Sequence, residues 1–221
     1  GHLRSRGTAP LKVHDCFGYF PPAGRRCSIA VTSVCGHLFA PELQSAPITQ
    51  HHHKTDMQAV FKSKARRVQA QASARLGVKE HLTREANGRS WLCLWLDCDR
   101  EGEAIGFEVL RSLPHFTPDR VWRARFSSLV PESVHRAMRK LVKPNPADAA
   151  AVDARQEIDL KVGIAFGRLL TRALRDGARH TFGLPSLRVL PYAPCAMAAV
   201  HMCVRRQAEV EAFKPHSYYE V

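Results

Sequence analysis

The chain has 221 residues, 45% of them hydrophobic, which allows one large packed domain or two modest ones. Its 33 Lys and Arg against 20 Asp and Glu leave a formal charge of +13, the electrostatic footprint of a polyanion binder. An anionic membrane surface could exploit the same charge, but no segment is long and apolar enough to span a bilayer and no amphipathic anchor stands out. Seven cysteines (Cys16, Cys27, Cys35, Cys93, Cys98, Cys195 and Cys203) form no Cys-x-x-Cys pair. That spacing argues against a zinc site and for reduced, mostly buried thiols in an intracellular protein. The sequence starts Gly1-His2-Leu3, without Met or a signal peptide, and reads as a fragment of a longer chain.

Residues 1–10 are polar and basic and are expected to be disordered. Leu11–Tyr19 and Cys27–Val34 are predicted strands, with Pro21-Pro22-Ala23-Gly24 as the turn between them. The second strand runs into Thr32-Ser33-Val34-Cys35-Gly36-His37-Leu38. By itself a histidine beside a glycine is more often structural than functional. Residues 45–56 make a polar loop containing His51-His52-His53, which has no partner cluster to make it a metal site. Met57–Leu76 reads as a basic helix whose Lys62, Lys64, Arg66 and Arg67 face either phosphate or solvent.

Leu92–Glu103 opens as an apolar run and ends in acid. The run predicts a strand buried on both faces, of the kind found in a parallel sheet. Asp97, Asp99 and Glu101 fall two residues apart, so an extended backbone would point all three carboxylates to one side. Gly102 then lets the chain turn, and a helix is expected from Glu103 to Leu113 with Ile105, Val109 and Leu110 toward the sheet. Three clustered carboxylates need a cation, and an all-oxygen set favours a hard one, Mg²⁺ first. The plain alternative is a solvated acidic turn. Val121–Phe126 is a further predicted strand. Pro131 starts a helix with Val134, Met138 and Leu141 as its core stripe. Lys143-Pro144-Asn145-Pro146 is a linker and the domain boundary. Ala147–Leu174 is helical, with Asp153, Glu157 and Lys161 four apart on one face and Arg155 with Asp159 on the next.

Several of these segments resemble one family. Asp-Cys-Asp-Arg-Glu-Gly-Glu at 97–103 is similar to the acidic motif of Toprim domains, shared by type IA topoisomerases, primases and some nucleases. The longer string from Leu94 resembles type IA DNA topoisomerases, and within them the eukaryotic type III enzymes of the beta kind. Thr32–Leu38, the Arg-Ala-Arg-Phe-Ser-Ser run at 123–128 and Asp153–Gly163 resemble further segments of that family. Pro191-Tyr192-Ala193-Pro194-Cys195-Ala196 is similar to a DNA-contacting turn of the family, with alanines where the family has a glycine and a glutamine. Glu211–Val221 resembles the first strand of the family's arch domain. Residues about 63–84 are longer than the resemblance predicts.

The resemblance implies an α/β Toprim domain, Rossmann-like with a mainly parallel sheet and lacking its first strand, over residues 11–143. A mainly α-helical DNA-binding region would begin at 147–221. It implies an ATP-independent isomerase that cuts one DNA strand through a tyrosine, passes a strand and reseals. The catalytic and metal-binding residues would be Asp97, Asp99 and Glu101, with Mg²⁺. Single-stranded DNA would be held by His37, Arg155, Gln156, Asp159, Thr171, Tyr192, Pro194 and Cys195. RNA as a further substrate stays open, protein partners stay unknown, and the nucleus is the expected location. None of Tyr19, Tyr192, Tyr218 and Tyr219 has the family's nucleophile context, and no Ala-Glu-Lys-Pro precedes Leu11, so this chain alone is expected not to cleave DNA. The alternatives are another Toprim enzyme, a primase or nuclease, and a degenerate Toprim module that binds single-stranded nucleic acid without catalysis.

Overall fold

Three antiparallel strands open the chain. Arg4–Arg6 (β1) pairs with Val13–Phe20 (β2), and β2 with Arg25–Thr32 (β3), in a register that sets Val13 opposite Thr32 and Tyr19 opposite Arg26. One turn of 3-10 helix at Pro21–Ala23 joins β2 to β3. Gly24 closes it at φ 64°, a left-handed conformation that favours glycine. The computed structural model describes residues 3–44, 57–181 and 189–220, and the triple histidine at 51–53 lies outside them. The expectation that residues 1–10 are disordered fails at β1. Arg6 donates to Asp15 at 2.8 Å and pairs with Glu85, which ties the strand down from two sides.

Hydrogen bonding from Arg6 holds the Glu85 carboxylate down to about 2, below its ordinary 4.5. Because the folded value is depressed, the stabilisation is complete above about pH 4.5 and is lost as pH falls toward 2. Acid titration of thermal unfolding should show a shallower loss over that window in Arg6→Ala than in the parent chain. Equal slopes would overturn this linkage.

Phe39–Leu43 (β4) and Ala65–Gln69 (β5) form a two-stranded sheet. The single basic helix expected over 57–76 is therefore three elements: Met57–Lys62 (α1), β5 and Gln71–Arg75 (α2). At the first break the Ser63 hydroxyl bonds back to the Ala59 carbonyl at 2.7 Å, a local alternative to continuing the helix. At the second element Arg66 is held by Glu42, its Nε and Nη2 donating to Glu42 Oε2 at 2.9 and 2.6 Å. Strand pairing outweighs the high helix propensity of the Ala, Arg and Gln residues in the segment. Val78–Ala86 (α3) follows and was not foreseen in the sequence.

Leu92–Trp95 (β6) and Val121–Ala124 (β7) pair in parallel, Leu92 opposite Val121. Parallel neighbours need a crossover, and Arg100–Ser112 (α4) supplies it. Leu94, Val109, Leu113, Phe116 and Val121 from this unit pack with Leu38, Val78, Leu82 and Ala86 in one core, Ile105 and Leu110 lying at its margin. The α/β character is as expected, and the sheet that carries the acidic motif is parallel. Among the described residues β6 and β7 pair in parallel, β1–β2–β3 is antiparallel, and β6 has a partner on one edge and so is not a central strand. The three-strand sheet stays antiparallel because a tight turn, not a crossover, joins β2 to β3.

Pro131–Arg139 (α5), Pro146–Thr181 (α6) and Pro194–Ala212 (α7) complete the described elements. The expected α5 stripe of Val134, Met138 and Leu141 is only half-buried, with Ala137 fully buried beside it. Two compact units result, one holding residues up to Glu42 with Arg66–Gln156, the other Leu43–Ala65 with the chain from Glu157 on. The division between these compact units falls after Gln156, inside α6. The reason is that Ala149 and Val152 at the start of α6 pack on Ala104 and Phe107 of α4.

In the second unit Gly163 and Gly167, one turn apart on α6, let the 190–192 segment lie close. A Cβ at either would meet the Tyr192 or Leu190 carbonyl at 3.0 and 3.1 Å. Thr171 clamps the same segment, donating to the Gly167 carbonyl at 2.5 Å and accepting from Leu190 N at 2.7 Å. Thr171→Val should cost about 1–3 kcal/mol, since it strands the Leu190 N–H, and chemical denaturation will measure it. An unchanged midpoint would mean that water satisfies that group. The arch strand expected at 211–221 is not formed. Glu211 and Ala212 end α7, and Phe213–Glu220 has no regular structure and pairs with no described strand. All seven cysteines are free, but none is fully buried and Cys98, Cys195 and Cys203 are exposed, contrary to the expectation of mostly buried thiols. The exposed three sit on the turn before α4 and on α7, outside the packed core.

Candidate functional site

The turn from β6 into α4 is built by close backbone approach. Asp99 caps α4, its Oδ1 accepting from Gly102 N at 2.8 Å. Asp99, Glu101 and Glu103 thus cluster at the positive end of the helix dipole. The Gly102 Cα faces the Asp97 carbonyl so closely that a Cβ would lie 2.0 Å from its oxygen. Beneath the turn Arg123 of β7 is completely buried and donates to the carbonyls of Leu94, Leu96, Asp97 and Ala124 at 2.5–3.3 Å. Its Nε donates to Glu103 Oε1 at 3.0 Å, and Glu103, itself 2% exposed, takes Asn145 N on its other oxygen at 3.1 Å. A buried guanidinium and carboxylate, fully hydrogen-bonded, therefore fix the end of the strand and the first turn of the helix.

A second network runs outward from Glu108, another buried carboxylate on α4. Glu108 Oε2 accepts from Leu38 N at 2.7 Å and Phe39 N at 3.3 Å, while Oε1 faces His37 Nδ1 at 3.0 Å. The His37 Nε2 lies 3.0 Å from Glu101 Oε2 and 3.3 Å from Gln156 Nε2. Glu101 Oε1 in turn accepts from Arg155 Nη2 at 2.5 Å. Arg67 donates to Gln156 and Asp153, and Arg111 reaches Asp153 at 3.1 Å. Four side chains singled out in the sequence (His37, Glu101, Arg155 and Gln156) thus meet in one cluster at the surface of the first unit.

The three acidic-motif residues are not gathered in the way their spacing suggests. Extended geometry ends before Arg100, where α4 begins three residues earlier than expected, so Glu101 projects from a helix. One Asp99 oxygen caps that helix, both Glu101 oxygens have side-chain partners, and Asp97 is exposed. Among the described residues no group of three His, Cys, Asp or Glu side chains is placed to hold a metal ion. The oxygen-only donor set suits a hard cation, but this arrangement does not fit a three-carboxylate Mg²⁺ site.

Glu103, Glu108, Arg67 and Arg123 were not foreseen in these roles. The signal for three of them was present. Glu103 and Glu108 fall within the helix expected to pack on the sheet, at positions that are buried in α4, and Arg123 interrupts the apolar strand Val121–Ala124. A charge on a buried face implies a buried partner.

Residues 9–129 match the family model of the Toprim domain. The chain is a member of the Toprim family. Residues 143–221, beginning at the linker read from the sequence, match a second family model described as DNA topoisomerase. Three relatives align over nearly the whole Toprim-bearing chain. It is 38% identical to DNA topoisomerase 3-beta of Arabidopsis thaliana, over 94% of this chain and 23% of the relative. Identity to DNA topoisomerase 3-beta-1 of Homo sapiens is 35%, over 94% of this chain and 24% of the relative. Against DNA topoisomerase 3-alpha of Arabidopsis thaliana it is 38%, over 90% and 21%. The chain therefore spans about a quarter of the length of these curated relatives.

The remaining residues expected at DNA lie in the second unit of this Toprim protein. Asp159 is on α6 one turn beyond Arg155. Thr171 is 2% exposed, with its hydroxyl engaged by Gly167 and Leu190. Tyr192 stacks on Phe166 with ring centroids 5.4 Å apart, Pro194 opens α7, and Cys195 is exposed.

Proposed function

We propose that the chain is the Toprim-bearing part of a type IA DNA topoisomerase, which cleaves, passes and reseals single DNA strands. In this reading the His37–Glu101–Arg155–Gln156 cluster grips a phosphate of single-stranded DNA. The observation that carries it is the Arg155–Glu101 pair, which couples the acidic motif to α6. Both side chains are about half-exposed, and such a pair is worth only about 0–1 kcal/mol. A phosphate can therefore displace Glu101 from the guanidinium and take a forked contact in its place. Glu101 is then released toward His37 and the neighbouring Asp97 and Asp99. Glu108 holds the imidazole from behind through Nδ1, and Gln156 is held by Arg67, so the strand meets a positioned set of donors. Strand cleavage itself needs a tyrosine in line with the phosphorus, and none of the chain's four tyrosines contributes to this cluster. The parent enzyme works on nuclear DNA in this reading. No helix among the described residues is long and apolar enough to cross a membrane.

Fluorescence anisotropy with a labelled oligothymidylate tests the proposal. Affinity should fall steeply with salt, with a log–log slope of about −0.7 per phosphate neutralised. Arg155→Ala should weaken binding and reduce that slope by about one contact. Salt-independent binding, or an Arg155→Ala chain that binds like the parent, would remove the support. A competing oligouridylate in the same assay measures preference for DNA over RNA.

A further inference from the structure

The open face of the β1–β2–β3 sheet carries a second feature that the acidic cluster does not use. Alternation puts Val13, Asp15, Phe17 and Tyr19 of β2 on one face, and the register places Arg4 beside Asp15, Ser28 beside Phe17 and Arg26 beside Tyr19 on that same face. At the Val13 end this face is covered, since Val13 is buried and its cross-strand partner Thr32 bonds to His81 of α3 at 2.8 Å. Toward the turn the strands run on without cover, leaving Phe17 65% and Tyr19 60% exposed. Two large aromatic rings on a bare sheet face are unfavourable for a surface that meets only water.

The charge around the rings is mainly positive. Arg4 and Arg26 flank them and make no ion pair with another described residue, and Arg25 stands at the adjoining turn. The one carboxylate on that face, Asp15, is held by Arg6 at 2.8 Å, and this contact lowers its pKa. Exposed aromatics interleaved with unpaired arginines match the chemistry of a nucleic-acid strand, whose bases stack and whose phosphates are anionic. The spacing selects the form of that strand. Residues two apart on a strand stand about 6.7 Å apart, twice the roughly 3.4 Å rise of stacked nucleotides. The two rings therefore accept bases splayed out of a stack and cannot engage bases held in a duplex.

We infer that this face is a second binding surface for single-stranded DNA, with Phe17 and Tyr19 each stacking one base and Arg4 and Arg26 holding the phosphates between them. It acts separately from the Arg155 cluster and lengthens the track over which one strand is gripped. It goes beyond the function proposed above and shares with it only the choice of DNA as polymer.

Anisotropy with the 221-residue chain and labelled oligothymidylate reads it out. Phe17→Ala with Tyr19→Ala should weaken binding by about tenfold or more, since stacking is lost at both rings. Both side chains are mostly solvated, so thermal unfolding should stay at the parent midpoint. The ring-preserving pair Phe17→Tyr with Tyr19→Phe should bind like the parent, and Phe17→Leu with Tyr19→Leu should bind like the alanine pair. Arg26→Ala should reduce the salt slope, and duplex DNA should bind the parent and the alanine pair equally. The inference is overturned if the alanine pair keeps parental affinity, or if the leucine pair does, which marks a plain apolar patch. It is also overturned if sedimentation shows a parental dimer that the alanine pair dissolves, which makes the face a contact between two copies. Loss of binding in Arg155→Ala alone removes this inference and leaves the proposed function standing. Loss in the alanine pair alone does the reverse.

Discussion

Gly102→Ala is expected to destabilise the chain by more than about 4 kcal/mol, at the far end of what single substitutions do. By helix propensity alone the sign would be opposite, since alanine favours a helix over glycine by about 1 kcal/mol. The added methyl, however, would sit 2.0 Å from the Asp97 carbonyl oxygen and 3.0 Å from Arg123 Nη2. Neither can yield cheaply. The carbonyl is backbone at the end of β6, and Arg123 is buried and hydrogen-bonded to four carbonyls and to Glu103. Gly106→Ala is the control, one turn on. There the methyl would meet the Leu94 Cδ1 at 3.0 Å, the far end of a flexible side chain, and the cost should be about 1–3 kcal/mol. Urea unfolding of the two variants decides it. Equal midpoints would mean that the turn relaxes and that the close approach is not needed for the fold.

Arg123→Met should cost about 3–5 kcal/mol, because it leaves Glu103 as an uncompensated buried charge. The carbonyls of Leu94, Leu96, Asp97 and Ala124 lose their donor at the same time. Glu103→Leu by itself leaves the guanidinium buried and strands the Asn145 N–H that Glu103 accepts at 3.1 Å. The double variant removes both charges and should be less destabilised than the sum of the singles, with a coupling of about 0.5–3 kcal/mol. Additive losses would show that the two groups contribute to the turn independently, and the account of a paired clamp would fall. Single-stranded DNA binding should also drop in Arg123→Met, since the clamp orients the turn that carries Asp99 and Glu101.

Local sequence was enough for much that depends on neighbouring residues, though not for α3. The apolar run at Leu92, the acidic string after it and Gly102 announced a strand, a turn and a helix, and the motif identified the Toprim family. Pro21-Pro22-Ala23-Gly24 announced the first turn, and the 143–146 linker is where the second family model begins. His37, Arg155 and Gln156 were singled out through resemblance; His37 and Arg155 do meet Glu101, and Gln156 reaches His37. What the sequence could not decide rests on partners far along the chain. The helix expected over 57–76 breaks because β5 finds β4, which local propensity does not encode. α4 starts at Arg100 because Asp99 caps it and Arg123, from a later strand, holds the carbonyls at its base. Spacing alone set Asp97, Asp99 and Glu101 on one side of an extended chain, yet Glu101 turned toward His37, 64 positions earlier, and Arg155, 54 positions later. Glu108, not singled out in the sequence, owes its role to Leu38 and His37, which the fold brings to it. Burial makes an unpaired carboxylate costly, so its place is set by whichever donors the fold delivers, and those donors are known only once the chain has folded.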